Sequence, residues 1–117
     1  MGMSHHTTAS RPILLAVPSN VIDRSAFLYS ALDNGWVRIG YRKADGTYTY
    51  RLATRNLTLV ASMGDKRDID AIKNSEFTPL ALETVVYYDY IAGSIRAFRV
   101  ERCDCAAIDA TCATSNH

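Results

Sequence analysis

The spacing of apolar residues changes abruptly at Gly35, and this change constrains the fold more than any other feature of the sequence. Before it, six residues recur at steps of three and four, which gives one apolar stripe along a helix: Val21, Ile22, Ser25, Leu28, Tyr29 and Leu32. After it, Val37, Ile39 and Tyr41 point one way and the residues between them point the other, as in a β-strand. The sequence therefore predicts an amphipathic helix followed by strands.

The residues at the two ends of this stripe set the limits of the helix. Ser19 or Asn20 can cap its first turn, where the carboxylate of Asp23 is stabilised by the helix dipole. Gly35 is placed to end the helix in the left-handed conformation. We therefore expect a helix from about residue 20 to residue 34.

Two β-hairpins are predicted after the helix. Residues 43–46 form a loop in which Gly46 takes a positive φ, and the alternation resumes through Tyr48, Tyr50 and Leu52. Residues 84–91 are dense in β-branched and aromatic side chains, residues 92–93 break the run, and residues 94–103 alternate again. These four runs are the most regular β-type segments of the chain.

The segment between the hairpins has weaker signals. Residues 54–61 read as an extended continuation of the preceding strand or as a separate strand. Residues 62–79 are predicted to form a long exposed connection, although residues 68–73 are compatible with one or two helical turns. The predicted fold class is thus mainly β, of the α+β type. An N-terminal helix precedes five short antiparallel strands, which close into a small barrel with the helix over one open end.

The chain of 117 residues is expected to form one domain over residues 13–108, with a loose arm at residues 1–12 and a loose tail at residues 109–117. The longest apolar run, residues 13–17, has five residues, against the ~20 that a membrane helix needs. We therefore expect no membrane segment. With no secretion signal recognised, the expected location is the cytoplasm, either of a bacterium or of an infected host.

The net charge of +1 conceals a separation of charge along the chain. Residues 36–55 carry five basic residues against one acidic residue, and residues 95–102 carry three against one, whereas residues 65–93 carry three against six. Both hairpins are basic and the connections are acidic. Ten of the thirteen basic residues are arginines, whose planar guanidinium group suits bidentate contact with phosphate.

Tyrosines are interleaved with these arginines, a pairing typical of surfaces that stack a base and neutralise a phosphate. A second interpretation is purely structural, because strands that bind nothing also use tyrosine for packing and arginine on solvent-exposed faces. In a third interpretation the basic surface binds an acidic protein. The predicted phosphate-binding residues are Arg38, Arg42, Arg51, Arg96 and Arg99, and the predicted stacking residues are Tyr50 and Tyr88.

The sequence offers little for catalysis, and we expect no enzyme and no cofactor. The three histidines lie in the arm and at the last position, and no glycine-rich phosphate loop occurs. Asp89 stands alone in an apolar strand, where it is expected to cap the end of the second hairpin or to pair with Arg96 or Arg99.

The cysteines are concentrated near the end of the chain. Cys103, Cys105 and Cys112, with His117 as a fourth ligand, are one candidate zinc set, but the usual knuckle spacing has two intervening residues. We expect reduced cysteines without a metal.

The run at residues 34–46, followed by Arg51, Asp89, Gly93, residues 95–100 and Arg102, resembles the small Sm-like or SH3-like β-barrel proteins related to the WYL domain. Such proteins are common in bacteriophages and bacteria, and the resemblance covers about residues 20–108. The chain differs from the WYL domain in two ways. It lacks a Trp-Tyr-Leu tripeptide, since its corresponding strand reads Val-Val-Tyr-Tyr at residues 85–88. It also shows no helix-turn-helix motif before the predicted barrel.

The resemblance implies a five-stranded barrel behind a helix, and a binding module for nucleic acid or nucleotides. The matching arginine-x-phenylalanine-arginine stretch is Arg96, Phe98 and Arg99, and the matching strand-two arginine is Arg51. The first functional hypothesis is therefore a phosphate-binding module, of phage or prophage type. The alternatives are a host-takeover or anti-defence protein that contacts a host protein, and a structural subunit that forms homo-oligomers through strand edges.

Overall fold

The computed structural model of the protein describes residues 12–75 and 83–109. The elements in chain order are β1 (Pro12–Leu14), α1 (Val21–Asn34), β2 (Val37–Arg42), β3 (Tyr48–Thr54), α2 (Leu57–Met63), α3 (Lys66–Asn74), β4 (Thr84–Asp89), β5 (Ser94–Arg99) and β6 (Cys103–Asp109). A 3-10 turn, Val100–Arg102, joins β5 to β6. No helix in these two ranges has the length and apolar character that a membrane span requires.

All six strands pair antiparallel in one open sheet, in the order β1-β6-β2-β3-β4-β5. This differs from the predicted barrel of five strands. The additional strands are the three-residue β1 and the β6 strand beside it, with Pro12 opposite Asp109. Strand β6 is rich in small residues and contains a single β-branched side chain, Ile108, so its sequence gives only a weak strand signal.

The two predicted hairpins are present. Strands β2 and β3 pair from Val37 opposite Ala53 to Arg42 opposite Tyr48, and their loop has Gly46 at a φ of 92°. Strands β4 and β5 pair from Thr84 opposite Arg99 to Asp89 opposite Ser94. Glycine tolerates the positive φ required in such tight connections.

Helix α1 covers the inner face of the sheet. Asn20 caps it by accepting a hydrogen bond from the backbone N–H of Asp23 at 3.1 Å. Its buried residues Leu28 and Leu32 pack in the main core with Val37, Ile39 and other inward residues of the strands. The helix is the second element rather than the first, since β1 precedes it, and Gly35 ends it with an extended φ of 160° instead of a left-handed one.

The segment predicted as extended chain and exposed connection instead forms helices α2 and α3, and the helical turns considered for residues 68–73 lie within α3. Asn56 caps α2, and Asp65 and Asp68 form a reciprocal capping box at the start of α3. The two helices bury Val60 and Ile72 against the outer face of β4. The prediction failed because both helices are short and contribute few residues to the core. In α2 the alternation of Leu57, Leu59 and Ala61 is typical of a strand, and α3 is mostly polar.

Buried Arg55 supports the open side of β4. Strands β3 and β4 pair at two positions, Ala53 with Asp89 and Thr54 with Tyr88, so the rest of β4 has no partner on that side among the described strands. The guanidinium group of Arg55 donates to the backbone oxygens of Val86 and Ile72. It therefore replaces part of the missing strand pairing and ties α3 to the sheet.

A second side chain completes this support. The hydroxyl of Tyr29 on α1 donates to the backbone oxygen of Thr84 at 3.0 Å, and the Arg55 guanidinium lies 4.6 Å from the centre of the Tyr29 ring. The carbonyls of Thr84 and Val86 are two residues apart on one edge of β4. Tyr29 and Arg55 thus supply a side-chain hydrogen bond to each of these two carbonyls.

Replacing Arg55 with methionine should lower the free energy of unfolding by about 2–4 kcal/mol, because buried carbonyls lose charge-assisted hydrogen bonds. Urea denaturation measures this change. Arg67→Met is the matched control, since Arg67 is exposed and pairs with Asp65 only at 3.8 Å, and it should change stability by less than about 0.5 kcal/mol. Equal losses in the two variants would contradict the role given to Arg55.

Candidate anion-binding site

A cleft of about 520 Å³ lies between the far ends of the two hairpins. Five of its lining residues are cationic, and among the described residues that line it none is acidic. The cationic residues are Arg42, Lys43, Arg96, Arg99 and Arg102. We call this feature the cationic cleft.

The strand layout explains why these residues meet. Arg42 ends β2, Arg96 and Arg99 lie on β5, and Arg102 lies in the 3-10 turn that follows. Among the described residues, strand pairing joins the two hairpins only at the short β3–β4 pairing, near Ala53. Away from this junction the hairpins separate, and the cationic ends of β2 and β5 form the two walls of a cleft.

The floor of the cationic cleft consists of aromatic side chains that are almost completely buried. Tyr41 and Phe98 are stacked with ring centres 5.0 Å apart, and they are only 8% and 4% exposed. The hydroxyl groups of Tyr41 and Tyr87 are 3.0 Å apart and share a hydrogen bond. Burial and this hydrogen bond raise the pKa of Tyr87 well above its usual value, so its hydroxyl stays protonated. The floor offers little open ring surface to a ligand.

Asp89 holds one wall of the cleft in place. Its Oδ1 accepts a hydrogen bond from the backbone N–H of Ala92 at 2.9 Å, and its Oδ2 lies 3.5 Å from Nε of Arg96. The same Oδ2 lies 3.7 Å from Nε of Arg51. The predictions that Asp89 caps the hairpin and pairs with Arg96 are both confirmed, and Arg51 is an additional partner.

The other cations differ in how strongly they are held. Arg99 lies 3.5 Å from Glu83 and 3.4 Å from Glu101, all three at the surface. Arg42 donates to the backbone oxygen of Gly46 at 3.0 Å. Solvent screens surface ion pairs such as those of Arg99, so they compete only weakly with a ligand phosphate.

The cleft brings together three of the five predicted arginines: Arg42, Arg96 and Arg99. Arg51 lies behind Arg96, across Asp89, and does not line the cleft. Arg38 lies on the outer face of β2, 3.9 Å from Asp109. Sequence reasoning left Lys43 and Arg102 out of the site, although both belong to the two basic segments that carry the excess charge.

The two predicted stacking residues have opposite surroundings. Tyr50 lies on the outer face of β3 and is 71% exposed. Tyr88 is 2% exposed and packs with Val60 and Ile72 beneath α2 and α3. Tyr88 therefore presents no surface to a base, because the segment expected to be an exposed connection covers it.

The cysteines show no metal site within residues 12–75 and 83–109, where no three metal-ligating side chains converge. Cys103 is a buried free thiol on the inner face, and Cys105 is a half-buried free thiol. Cys112 and His117, the other members of the candidate zinc set, lie outside the described residues.

Comparison with known proteins identifies one family. The model of the family described as WYL_2, Sm-like SH3 beta-barrel fold, matches residues 26–103. This range contains most of α1, both hairpins and the whole cationic cleft. No curated protein and no solved structure matches the chain.

The burial of Cys103 leads to a pH-dependent expectation. Burial raises the pKa of the Cys103 thiol from 9.0 to about 11, because the thiolate would lose hydration. The raised pKa adds stability below pH 9, and this contribution should disappear as the pH rises through about 11. Urea denaturation between pH 8 and pH 11 should show the loss, and Cys103→Ala should remove this part of the pH dependence.

A labelling experiment tests the same burial independently. In a Cys112→Ser variant at pH 8, iodoacetamide should modify Cys105 first and reach Cys103 only after unfolding, since the thiolate is the reactive form. Equal native labelling rates at the two positions would show that Cys103 is accessible.

Proposed function

The chain belongs to the WYL_2 family of Sm-like SH3 β-barrel folds, and we propose that it is a non-catalytic binding module for a phosphate-containing ligand, a single-stranded nucleic acid or a nucleotide. The cationic cleft is the proposed phosphate site. The observation that supports this most is that five cations and no described carboxylate line one concave surface. Neutralising phosphates there releases counterions, which is a large source of affinity for nucleic acids.

The orientation of Arg96 supports phosphate binding. Asp89 contacts Arg96 through Nε, so the two terminal amino groups of the guanidinium remain available for a bidentate contact. The carboxylate also fixes the side chain before the ligand arrives, which reduces the conformational entropy lost on binding.

The lining residues favour binding over catalysis. The described residues that line the cleft include no histidine, cysteine or carboxylate that would act as a general base or nucleophile. The hydroxyl of Tyr41 takes part in a buried hydrogen bond with Tyr87. The cleft therefore supports neutralisation and orientation of a ligand.

The binding test uses fluorescence anisotropy with a labelled ten-nucleotide deoxythymidine strand and with a labelled adenosine nucleotide, at ~50 mM salt. Arg99→Gln and Arg102→Gln should each weaken binding by about tenfold or more, because each removes a charge-assisted contact. The slope of log affinity against log salt should also become shallower by about 0.7 for each phosphate that the variant no longer neutralises.

Arg67→Gln on α3 is the control, since it removes an exposed arginine outside the cleft. Its affinity and salt slope should equal those of the unmodified protein. Absence of binding by both probes at low salt would refute the proposed function, as would equal losses in Arg67→Gln and Arg99→Gln.

Self-association is a second candidate, favoured by the position of β5 at one end of the sheet. Its outer backbone edge is not paired with another described strand, and such edges can pair with a second copy. Sedimentation velocity should then show a homo-oligomer that Ala97→Pro disrupts, since proline removes a backbone donor from the edge. A monomer at all concentrations would count against this candidate.

A further inference from the structure

We infer that the ligand is a single strand of nucleic acid, which continues from the cationic cleft onto a stacking surface on the outer face of β2 and β3. Tyr48 and Tyr50 form this surface over Gly40, and we call it the tyrosine platform. The inference rests on the proposed function, because the cleft must hold the phosphates of the same strand.

Gly40 makes the tyrosine platform possible. It lies directly opposite Tyr50 in the strand register. A Cβ atom at position 40 would come within 2.9 Å of the Tyr48 hydroxyl oxygen and 3.0 Å of a Tyr50 ring carbon. Glycine weakens a strand interior and often marks a close approach by another group. Here the space left by the missing side chain is occupied by the two tyrosine rings.

The two rings have different roles in the platform. Tyr48 is fixed, because its hydroxyl donates to the carboxylate of Asp104, and burial together with this bond raises its pKa above the usual value. Tyr50 contacts Tyr48 with ring centres 5.1 Å apart, yet it is 71% exposed. Tyr50 thus presents a large supported ring surface to solvent.

Arg42 connects the platform to the cationic cleft. Its guanidinium lies 5.8 Å from the centre of the Tyr48 ring, and the same side chain lines the cleft. Tyr48 and Tyr50 are two residues apart on one face of β3, a separation of about 7 Å along the strand. Arginines and exposed aromatic rings in continuous order suit a single strand, whose backbone needs cations and whose bases need stacking partners.

The closed floor of the cleft favours a strand over a free nucleotide. A nucleotide with its phosphates in the cleft would find Tyr41 and Phe98 almost completely covered. Its base would gain stacking only by reaching Tyr50 on the outer face. A neighbouring nucleotide of the same strand reaches that face without leaving the phosphate site, whereas the bases of a duplex are already stacked on each other.

The test separates phosphate contacts from base contacts by comparing a ten-nucleotide deoxythymidine strand with an abasic strand of equal length. The deoxythymidine strand should bind more tightly. Tyr50→Leu should weaken its binding by about 5-fold to 150-fold, the worth of one stacked base, and leave abasic binding unchanged. Tyr50→Phe is the matched control and should retain tight binding, because it keeps the ring.

Gly40→Ala is a second variant, which should displace the rings and reduce deoxythymidine binding while circular dichroism confirms that the protein is folded. The platform inference is overturned if the abasic and deoxythymidine strands bind equally, or if a duplex of the same length binds more tightly than the deoxythymidine strand. In either case the cationic cleft remains the proposed phosphate site. If neither strand nor nucleotide binds, the proposed function itself fails.

Discussion

The buried carboxylate of Asp89 is the interaction on which the arrangement of the two hairpins depends. It lies at the short β3–β4 junction, opposite Ala53, and contacts arginines from both neighbouring strands, Arg51 on β3 and Arg96 on β5. Two cations share one carboxylate, so the group carries a net positive charge. That excess lies beside the cationic cleft, where Arg96 forms part of the wall. The same contacts that join the strands therefore contribute to an attraction for anions.

The short junction has a structural cost that other side chains offset. A strand edge left unpaired in the interior would leave carbonyls without hydrogen bonds. Tyr29 and Arg55 supply those bonds, and Arg55 also binds α3 at Ile72. Strand β3 ends at Thr54, and these side chains allow β4 to extend past that end with its carbonyls hydrogen-bonded.

The sequence predicted the elements that are determined by residues close together in the chain. It did not predict contacts between residues that are far apart in the chain. The change of period at Gly35 and the turn glycines identify the hairpins, and the separation of charge identifies the basic segments. Helix α2 was missed because Leu57, Leu59 and Ala61 alternate with other residues as in a strand. The full extent of α3 was missed because most of its residues are polar, although Asp65 and Asp68 form a capping box at its start. That error placed Tyr88 at the surface. Which arginines share a cleft depends on how strand ends meet in space, and this cannot be derived from spacing along the chain.

The cleft and the tyrosine platform both depend on the register of the β2–β3 hairpin. Tyr41 contributes to the cleft floor from the inner face, while Gly40 and Tyr50 meet on the outer face. A shift of one residue would exchange the two faces of a strand and destroy both surfaces. The loop fixes this register through Gly46 at a φ of 92° and through Asp45, whose carboxylate accepts hydrogen bonds from the backbone and hydroxyl of Thr47. These bonds lower the pKa of Asp45, so the carboxylate that orders the turn stays ionised further into the acid range than an ordinary aspartate. A local turn thus determines which arginines and tyrosines can contact one ligand.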